Sequence, residues 1–417
     1  MQKVKSRPTR NPRGNDLFPV VGIGASAGGL DAFKQLLKEV PSDTGMSFVI
    51  IQHLDPTHSS LLTTALSKIT KMPVHEIVDG MKLEQNHIYI IPPGCDIGVL
   101  HGVLSLIPRE KSKGPHMAID FFFRALAADI GNRAIGVVLT GTGTDGTEGL
   151  RAIKGENGVT FTQDPLTAEF NGMPKSAVSA EVADFCLAIP ELVKELVRLA
   201  SHPYIFGQLS DPLSDPKDAP DLQKIFTLMR ASAGVDYSEY KSPTVRRRLA
   251  RRMALLKLDR LADYVKYLEE SPAELKALAS DTLIHVTSFF RDSEVFEKMK
   301  TLIFPAMIRN KTTDTSVRIW VAGCSSGEEV YSIAISLLEF LGDRSSKFPI
   351  QMFGSDLSER MIDKARTGLY SDANLRDMSK ERLKRYFTKI DGGYRINRLV
   401  RDLCVFVKHD LARDPPF

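Results

Sequence analysis

The ten residues VVGIGASAGG, at positions 20–29, decide the fold of the first part of the chain. An apolar run leads into them and LDAFKQLLKEV follows with helical spacing, which predicts a strand, a glycine-rich turn and a helix. Read from Gly22 to Ala27, the turn matches G-x-G-x-x-A, in which the backbone approaches a pyrophosphate. Read from Gly24, it matches G-x-S-x-G, in which Ser26 would be a nucleophile held above a sheet.

Length and composition place the chain among globular proteins of more than one domain. Its 417 residues exceed one ordinary core, and its hydrophobic and charged fractions, 43% and 25%, are ordinary. The net charge of +4 gives no overall field that favours nucleic acid, and no apolar run approaches the roughly 20 residues of a membrane helix. The four cysteines are scattered without a C-x-x-C pair, which favours a cytoplasmic location and indicates no metal site.

The pattern of strands and helices divides the chain into five stretches. Residues 1–16 are basic, lack an apolar signal core and are expected to be a disordered tail. Residues 17–200 alternate apolar strands with amphipathic helices, which predicts an α/β domain with a doubly wound, mostly parallel sheet. Residues 201–220 are rich in proline and aspartate and are interpreted as a linker. Residues 221–309 are predicted to form a small all-α domain, and an α/β pattern resumes over 310–417.

Three residues with the chemistry of a hydrolase follow strands of the predicted first sheet. Ser26 follows the first strand, His53 the second, and Asp145 lies in the turn GTGTDG after strand AIGVVLT. Since ligands sit at the carboxyl ends of strands in open α/β sheets, these side chains are expected at one edge. Serine would be the nucleophile, histidine the general base, and aspartate the group that orients the imidazole. Gly141 and Gly143 would let the backbone approach an oxyanion and offer N–H groups to it.

Other interpretations of this edge stay open from the residues alone. A serine in such a turn is often only a helix N-cap, and an aspartate in GTGTDG is often only a turn residue. Asp55 lies near the end of the second strand, where a dinucleotide site places the acid that binds ribose. That site does not require Ser26, His53 and Asp145 together. Their order along the chain also differs from the Ser…Asp…His order of α/β-hydrolases.

Four segments of the first domain resemble one family of enzymes. GIGASAGG, QHLDPTHSS, AIGVVLTGTGTDGTEGL and TQDPLTAEFNGMPKSAV are similar to the catalytic domain of CheB-type chemoreceptor methylesterases, over about Phe18 to Ala200. The resemblance implies that Ser26, His53 and Asp145 form a catalytic triad that hydrolyses γ-glutamyl methyl esters on receptor signalling helices, without a cofactor. It also implies deamidation of certain receptor glutamines.

Departures from the family pattern are small within the catalytic segments. Thr142 takes the place of a common methionine in the turn that supplies an oxyanion donor, and Ala27 that of a common threonine. The family also carries an amino-terminal receiver domain that accepts a phosphoryl group. The first predicted strand begins at Phe18 here, so control by such a domain is expected to be absent.

A second glycine-rich turn, AGCSSGEE, follows strand VRIWV and opens a helix in the carboxyl-terminal part. Asp356 ends the next strand, IQMFGSD, at the place where a carboxylate binds ribose hydroxyls. Taken alone, this pattern is compatible with NAD, FAD or S-adenosylmethionine. A tight turn beside a solvated aspartate explains it equally well.

The segments around this turn resemble a second family. VTSFFRD, RIWVAGCSSGEEVYSIAI, GSDLSERMIDKARTGLY and LKRYF are similar to CheR-type chemoreceptor methyltransferases, over about Asp221 to Phe417. The resemblance implies S-adenosylmethionine as the cofactor of this half. The family positions that contact it correspond here to Thr287, Arg291, Glu329 and Asp356. His285 stands where asparagine is usual, and Val330 where proline is usual.

One helix of the predicted all-α domain, TVRRRLARRMALLKL, has an apolar face and a basic face. The apolar face carries Val245, Leu249, Met253 and Leu256. The basic face carries Arg248, Arg251 and Arg252. The residues alone allow a solvated face or RNA binding. The resemblance implies electrostatic docking of these arginines on acidic receptor helices.

The carboxyl-terminal α/β domain is short for a doubly wound sheet. VRIWVAG, IQMFGSD and LCVFVKHD predict three strands, and the segment that follows in the family is missing after LARDPPF. The sequence therefore predicts an incomplete Rossmann-like domain in a truncated fusion, with weak or no binding of S-adenosylmethionine.

The two resemblances imply the partners and the leading function of the chain. The expected partners are methyl-accepting chemoreceptors and a histidine kinase signalling complex, with no nucleic acid and no membrane insertion. The leading expectation is a methylesterase with an attached methyltransferase-like module. A receptor-docking adaptor without activity and a nicotinamide oxidoreductase are the alternatives, and an intact triad argues against the adaptor.

Overall fold

The computed structural model describes most of the chain. It covers residues 18–52, 62–108, 117–205, 213, 215–233, 237, 242–283, 287–309, 316–370, 372–375, 378–390, 393–411 and 413–417. His53, Asp55 and His285 lie outside the described residues, as does the predicted tail, residues 1–16. Within the described ranges, no helix is long and apolar enough to cross a membrane.

The chain forms two compact units, each made of two stretches of sequence. The first unit contains Met1–Pro216 and Arg246–Leu261, and the second contains Lys217–Val245 and Ala262–Phe417. The region predicted as one all-α domain, residues 221–309, is therefore divided between the two units.

Ten strands lie in the described part of the first unit. They are β1 (Val20–Ala25), β2 (Ser47–Gln52), β3 (Val74–Glu76), β4 (Met81–Lys82), β5 (Ile88–Ile90), β6 (Cys95–Leu100), β7 (Val103–Pro108), β8 (Ala134–Val138), β9 (Val159–Gln163) and β10 (Phe185–Leu187). Seven form a sheet in the order β10-β9-β8-β1-β2-β5-β3, with each neighbouring pair parallel. The other three form a small antiparallel sheet, β4-β7-β6. The predicted doubly wound, mostly parallel sheet is confirmed.

Helices cover both faces of the seven-stranded sheet. The first six in chain order are α1 (Gly29–Glu39), α2 (Leu62–Ser67), α3 (Ala118–Ile130), α4 (Thr147–Gly155), α5 (Gly172–Ser179) and α6 (Ile189–Ala200). Apolar side chains of α1 and α6 join one core cluster, and those of α3 and α4 join another. Because both faces are covered, a central strand such as β1 is buried at every position.

The glycines of β1 allow α3 to pack directly on the strand. A Cβ on Gly24 would lie 2.4 Å from Cγ2 of Ile119, and a Cβ on Gly22 would lie 2.7 Å from Cε1 of Phe123. No real side chain tolerates such distances, so both positions need glycine for this packing. The close approach that these glycines permit is made by α3 and not by a pyrophosphate.

Ten further α-helices lie in the described part of the chain. They are α7 (Ala219–Ala233), α8 (Ser242–Leu255), α9 (Leu261–Glu270), α10 (Pro272–Thr282), α11 (Ser293–Lys298), α12 (Phe304–Ile308), α13 (Glu328–Leu341), α14 (Glu359–Thr367), α15 (Lys380–Tyr386) and α16 (Arg398–Arg401). A π-helical turn, Met299–Ile303, joins α11 to α12. Most of α8 belongs to the first unit, whereas α7 and most of α9 belong to the second.

The second unit contains a further sheet of parallel strands. The strands in the described part of this unit are β11 (Val317–Ala322), β12 (Ile350–Asp356), β13 (Leu369–Tyr370), β14 (Phe387–Ile390), β15 (Gly393–Ile396) and β16 (Cys404–Lys408). β11, β12 and β16 form the parallel sheet, with β12 in the centre, and β13, β15 and β14 form an antiparallel one. The predicted order of a helical region followed by a second α/β region is confirmed.

Candidate functional site

Ser26 follows β1 directly, at the carboxyl edge of the first sheet. Its N–H donates to the carbonyl of Thr140 (3.0 Å), and its own carbonyl accepts the N–H of Gly29 (3.0 Å). Gly28 adopts a left-handed φ of 73° at the start of α1, a conformation that glycine tolerates better than other residues. The chain therefore turns sharply from strand to helix and leaves Ser26 half-buried at the edge of the sheet.

Asp145 is buried between two helix starts, with 1% of its surface exposed. Its carboxylate accepts the backbone N–H groups of Ile119 (3.0 Å) and Asp120 (2.9 Å) at the start of α3. It also accepts the N–H of Gly146 (2.9 Å), immediately before α4. These N–H groups have no partner within their own helix, so the Asp145 carboxylate satisfies the amino-terminal ends of both helices.

The topology brings the predicted residues toward one edge of the sheet. β1 lies between β2 and β8, and both pair with it in parallel. β2 ends at Gln52, so His53 comes next along the chain, although it lies outside the described residues. The turn that contains Asp145 follows β8. Ser26 and Asp145 therefore belong to the carboxyl ends of neighbouring strands, and their roles stay predictions.

The turn after β8 lies against Ser26. A Cβ on Gly141 would lie 2.9 Å from the Cβ of Ser26 and 2.2 Å from the sulfur of Met173, so only glycine fits there. The Gly141 N–H donates to the carbonyl of Phe170 (2.8 Å). The prediction that Gly141 offers this N–H to an oxyanion is therefore wrong.

Two other positions of the turn stay predicted oxyanion donors. Thr142 is exposed at the sheet edge. Gly143 is also exposed and has a left-handed φ of 82°, which favours glycine. An oxyanion donor must aim a backbone N–H at the reacting carbonyl, so the exposure of Thr142 is compatible with its predicted role.

A network of polar side chains that the sequence did not single out holds the loops around Ser26. The N–H of Thr140 donates to Oε1 of Gln163 (3.0 Å), and Nε2 of Gln163 donates to the carbonyl of Thr167 (3.1 Å). Oγ1 of Thr140 donates to the carbonyl of Ala27 (3.2 Å) and accepts the N–H of Phe170 (2.8 Å). Thr140 and Gln163 therefore tie the serine turn to the loop after β9.

Asp120 is a second buried carboxylate beside Asp145, and the sequence analysis missed it. It lies in the first turn of α3, and its carboxylate accepts the N–H of Gly149 in α4 (2.6 Å). Burial, followed by the charge of Asp145, raises the pKa of Asp120 to about 7. The signal in the sequence was a single acid inside the apolar stretch AIDFFF, which reads as an ordinary N-terminal helix residue.

A cavity of about 320 Å³ lies in the second unit, beside the second glycine-rich turn. Its lining includes three of the four predicted cofactor residues, namely Thr287, Arg291 and Glu329. Gly323 and Ser325 of the turn line it as well. A cavity of this size is at the lower end of the range for small-molecule sites.

Asp356, the fourth predicted cofactor residue, lies behind this turn. Its Oδ2 accepts the N–H of Ser325 (2.8 Å), and its Oδ1 accepts the N–H of Ser358 (2.9 Å). It is not among the lining residues of the cavity, but Ser325 is. Each carboxylate oxygen can accept further hydrogen bonds, so Asp356 could still bind hydroxyl groups that approach from the cavity side.

The residues around the cavity fit S-adenosylmethionine. Gly323 has a left-handed φ of 69°, and a Cβ there would meet no heavy atom within 4 Å, so the backbone is open to a ligand. Arg291 can bind a carboxylate, and Glu329 and Asp292 can balance an ammonium or sulfonium charge. Glu328, which is buried, accepts the hydroxyl of Ser326 and fixes the turn itself.

The prediction that three arginines of α8 form a receptor-docking surface is wrong for two of them, because those two are not exposed. Arg248 and Arg251 are buried, with 2% and 0% of their surface exposed. Their guanidinium groups bind backbone carbonyls of the first unit, and Arg251 also pairs with Asp184. Arg252 is half-buried. The spacing of charges along the helix could not reveal this, because the acceptors belong to a distant part of the chain.

Metal coordination has no support in the described part of the chain. Among those residues, no group of three or more histidine, cysteine, aspartate or glutamate side chains could hold a metal ion. The four cysteines are all free thiols, and Cys324 of the second glycine-rich turn is buried.

Three protein-family models match successive parts of the chain. CheB methylesterase matches residues 21–196. The all-alpha domain of CheR methyltransferase matches residues 220–283, and its SAM binding domain matches residues 285–417. The first match contains Ser26 and Asp145, and the last contains the cavity.

Similar proteins extend these matches. An uncharacterised 104.1 kDa protein of Rhodobacter capsulatus is 32% identical over 377 residues, which are 85% of this chain and 39% of that protein. A Leptospira interrogans relative named for protein-glutamate methylesterase/protein-glutamine glutaminase is 30% identical over 183 residues, which are 44% of this chain and 95% of the relative. The chain belongs to the CheB methylesterase family.

The CheB domain is followed by CheR-type all-alpha and S-adenosylmethionine-binding domains. A solved CheB methylesterase catalytic domain, from Thermotoga maritima, is 28% identical to the chain. The match covers 44% of this chain and 98% of the Thermotoga chain, with a TM-score of 0.42. The chain spans about two fifths of the length of its Rhodobacter capsulatus relative, 39%.

Proposed function

We propose that the CheB domain is a protein-glutamate methylesterase, and also a protein-glutamine deamidase, that acts on chemoreceptor signalling helices. One observation carries this proposal. Ser26 directly follows the central strand β1 and lies against the turn that contains Asp145, on the side of β8. On its other side β1 pairs with β2, whose last residue, Gln52, precedes His53. The names of relatives such as the Leptospira interrogans protein support the same chemistry.

The proposed reaction is an acyl transfer through Ser26. The Ser26 Oγ attacks the γ-glutamyl ester carbonyl while His53 takes its proton, and the carbonyl oxygen becomes an oxyanion. Collapse of that intermediate expels methoxide, which receives the proton from His53 and leaves as methanol. Water, deprotonated by His53, then hydrolyses the acyl-enzyme and releases the glutamate. With a glutamine substrate the leaving group is ammonia, and no cofactor takes part.

The environment of each proposed catalytic group suits its task. Asp145 is held by three backbone N–H groups and stays in one position, as the partner that orients an imidazole must. The backbone N–H of Thr142 is the proposed oxyanion donor. The Gly141 N–H donates to the carbonyl of Phe170 instead, so the oxyanion donor is assigned to the exposed part of the turn, where Thr142 lies.

We propose that the CheR-type half is a protein-glutamate O-methyltransferase module, whose bound S-adenosylmethionine would supply an activated methyl group. Arg291 would bind the carboxylate of the cofactor, and Glu329 would balance its positive charge. Thr287 would donate a hydroxyl hydrogen bond, and Asp356 would accept hydrogen bonds from the ribose hydroxyls. The cavity that three of these residues line supports this assignment.

The proposed partners are methyl-accepting chemoreceptors, and through them a histidine kinase signalling complex in chemotaxis adaptation. The CheB and CheR family matches support receptor substrates for both halves. We also propose residues 17–200 as the methylesterase catalytic domain and 310–417 as the cofactor-binding domain, with the predicted linker, 201–220, and the helical region, 221–309, between them.

Replacement of the nucleophile tests the proposed esterase directly. Ser26→Ala in the full chain should abolish methanol release from a methylated chemoreceptor fragment, while Ser105→Ala, on the separate antiparallel sheet, should leave it unchanged. Unchanged methanol release from Ser26→Ala would refute the triad. No methanol release by the unaltered chain, with receptor binding intact, would favour an adaptor.

A further inference from the structure

Helix α8 carries two arginines that are buried inside the first unit, Arg248 and Arg251. On the same helix, Ala250 and Ala254 belong to the apolar cluster that contains side chains of α1 and α6. Arginine is almost never fully buried unless its charge is paired and its N–H groups are bonded. This burial therefore indicates a specific interaction and not a solvated basic face.

Both arginines bind carbonyl oxygens at the end of α4. Nη1 of Arg248 donates to the carbonyl of Lys154 (2.8 Å), and Nη2 donates to that of Gly155 (2.8 Å). Nε of Arg251 donates to the carbonyl of Gly158 (3.0 Å), just after the helix. The last carbonyls of a helix lack intrahelical partners and carry partial negative charge, so the guanidinium fork matches them in geometry and in sign.

Asp184 balances the charge of Arg251. Its buried carboxylate pairs with the Arg251 guanidinium and with Nζ of Lys154 (3.3 Å), and it accepts the N–H of Thr160 (3.0 Å). Burial alone would raise the pKa of Asp184, but these cations and hydrogen bonds hold that pKa well below its usual range. Removal of either Arg251 or Asp184 would therefore leave the other buried group without its main compensating charge.

Further polar contacts join the end of α8 to α6. Nη2 of Arg198, on α6, donates to the carbonyl of Ala254 at the end of α8 (3.2 Å). Nζ of Lys257, just after α8, lies 2.5 Å from Oε1 of Glu195 on α6. A buried anchor with a polar rim is the usual anatomy of a specific protein interface.

We propose that the arginine face of α8 is an intramolecular docking surface whose partner is the end of α4 together with Asp184. α4 begins at Thr147, two residues after Asp145, so α8 holds the far end of the helix that starts beside this proposed triad residue. α8 lies within the segment matched by the CheR all-alpha family, residues 220–283. A helix of the methyltransferase half thus completes the methylesterase unit. The arginine face of α8, which an acidic receptor helix would need, is therefore already occupied by the end of α4 and Asp184.

Amide hydrogen exchange of the full chain tests this docking, and it does so whether or not the chain hydrolyses esters. Arg251→Gln and Asp184→Asn should each accelerate exchange in the last turn of α4, residues 151–155, and in α8 by tenfold or more. The double variant should show less than the product of the two accelerations, because both changes break one ion pair. The matched control is Arg247→Gln, since Arg247 is exposed on the same helix, and it should leave α4 unchanged.

A milder variant keeps the test decisive if Arg251→Gln does not fold. Arg251→Lys retains the charge and loses the fork, and it should accelerate exchange in α4 by a smaller factor than Arg251→Gln. Equal α4 protection in the Arg251→Lys, Asp184→Asn and unaltered chains would overturn the proposal. A second result would also overturn it: an Arg251 variant that keeps its α4 protection but binds a glutamate-rich helical peptide more weakly than the unaltered chain. The arginines would then serve an acidic partner.

Discussion

The carboxylates of Asp145 and Asp120 each accept a backbone N–H from the first turn of a helix: α3, which contains Asp120, and α4, which begins two residues after Asp145. The Asp145 carboxylate accepts the N–H of Asp120 (2.9 Å) at the start of α3, and the Asp120 carboxylate accepts the N–H of Gly149 (2.6 Å) in the first turn of α4. Both acids thereby satisfy N–H groups that have no intrahelical partner. The arrangement places two carboxylates close together in a buried region, where like charges repel strongly.

The first prediction concerns the pH dependence of stability at this pair. Burial and then Asp145 raise the pKa of Asp120 to about 7, and Arg124 and Glu148 also act on it. A raised folded pKa contributes stability below the unfolded value of about 3.9, and that contribution is lost as the pH rises through about 7. As the pH rises from about 4 to about 7, the free energy of unfolding of the first unit should therefore fall in the unaltered chain relative to Asp120→Asn.

Scanning calorimetry across this range measures the effect. Asn keeps an oxygen that accepts the Gly149 N–H but cannot ionise, so Asp120→Asn isolates the charge. Each unit of pKa shift corresponds to about 1.4 kcal/mol in the free energy of unfolding. Asp31→Asn, at an exposed position on α1, is the control and should leave the pH slope unchanged. Identical slopes in the unaltered chain and in Asp120→Asn would contradict the prediction.

The second prediction separates the backbone of Thr142 from its side chain. Thr142→Ala keeps the N–H that is the proposed oxyanion donor, and its kcat for ester hydrolysis should stay within a few-fold of the unaltered chain. Thr142→Pro removes that N–H and should lower kcat by roughly 100- to 1,000-fold. The melting temperatures of both variants show whether the turn itself survives. Equal kcat values for two folded variants would rule out this donor.

The third prediction concerns Gly24, the penultimate residue of β1. Gly24→Ala places a Cβ 2.4 Å from Ile119, and it should destabilise the first unit by about 1–3 kcal/mol through overpacking. Gly98→Ala is the matched control, because a Cβ there would lie 3.6 Å from Ile107, at ordinary contact distance. Chemical denaturation measures both. A Gly24→Ala chain as stable as the Gly98→Ala chain would show that α3 does not pack on the strand as described.

The fourth prediction concerns the cavity of the second unit. Arg291→Ala and Glu329→Gln should each weaken S-adenosylmethionine binding about 10- to 100-fold, because each removes one charge-assisted contact. Titration calorimetry measures the Kd, and melting temperatures should change little because Arg291 is exposed. Arg395→Ala, also exposed and outside the cavity lining, is the control. Unchanged Kd values in both cavity variants would place the cofactor elsewhere.

Local patterns made much of the first unit predictable. Apolar runs of five or six residues predicted β1, β2 and β8, and the glycine-rich turn after β1 predicted the position of Ser26 at the sheet edge. Parallel strand order then followed from the alternation of strands and helices. Each of these signals lies within a short window of sequence, where sterics and hydrophobic spacing act directly.

Residues whose role depends on remote partners were not predictable in this way. Thr140 and Gln163 look like ordinary strand-end residues, yet they tie two loops together across the edge of the sheet. Asp120 looks like a favourable acid in the first turn of a helix, yet burial beside Asp145 changes its pKa. The prediction for Gly141 failed because its N–H meets the carbonyl of Phe170, from a different loop.

By itself the sequence determined the strand, turn and helix around Ser26, the alternation that produces a parallel sheet, and the second glycine-rich turn beside Asp356. Only the tertiary structure decided where the arginines of α8 go. Their acceptors are 94 residues away at Lys154 and 67 residues away at Asp184. A charged side chain can be buried only where such partners surround it, and that surrounding exists only after the chain has folded.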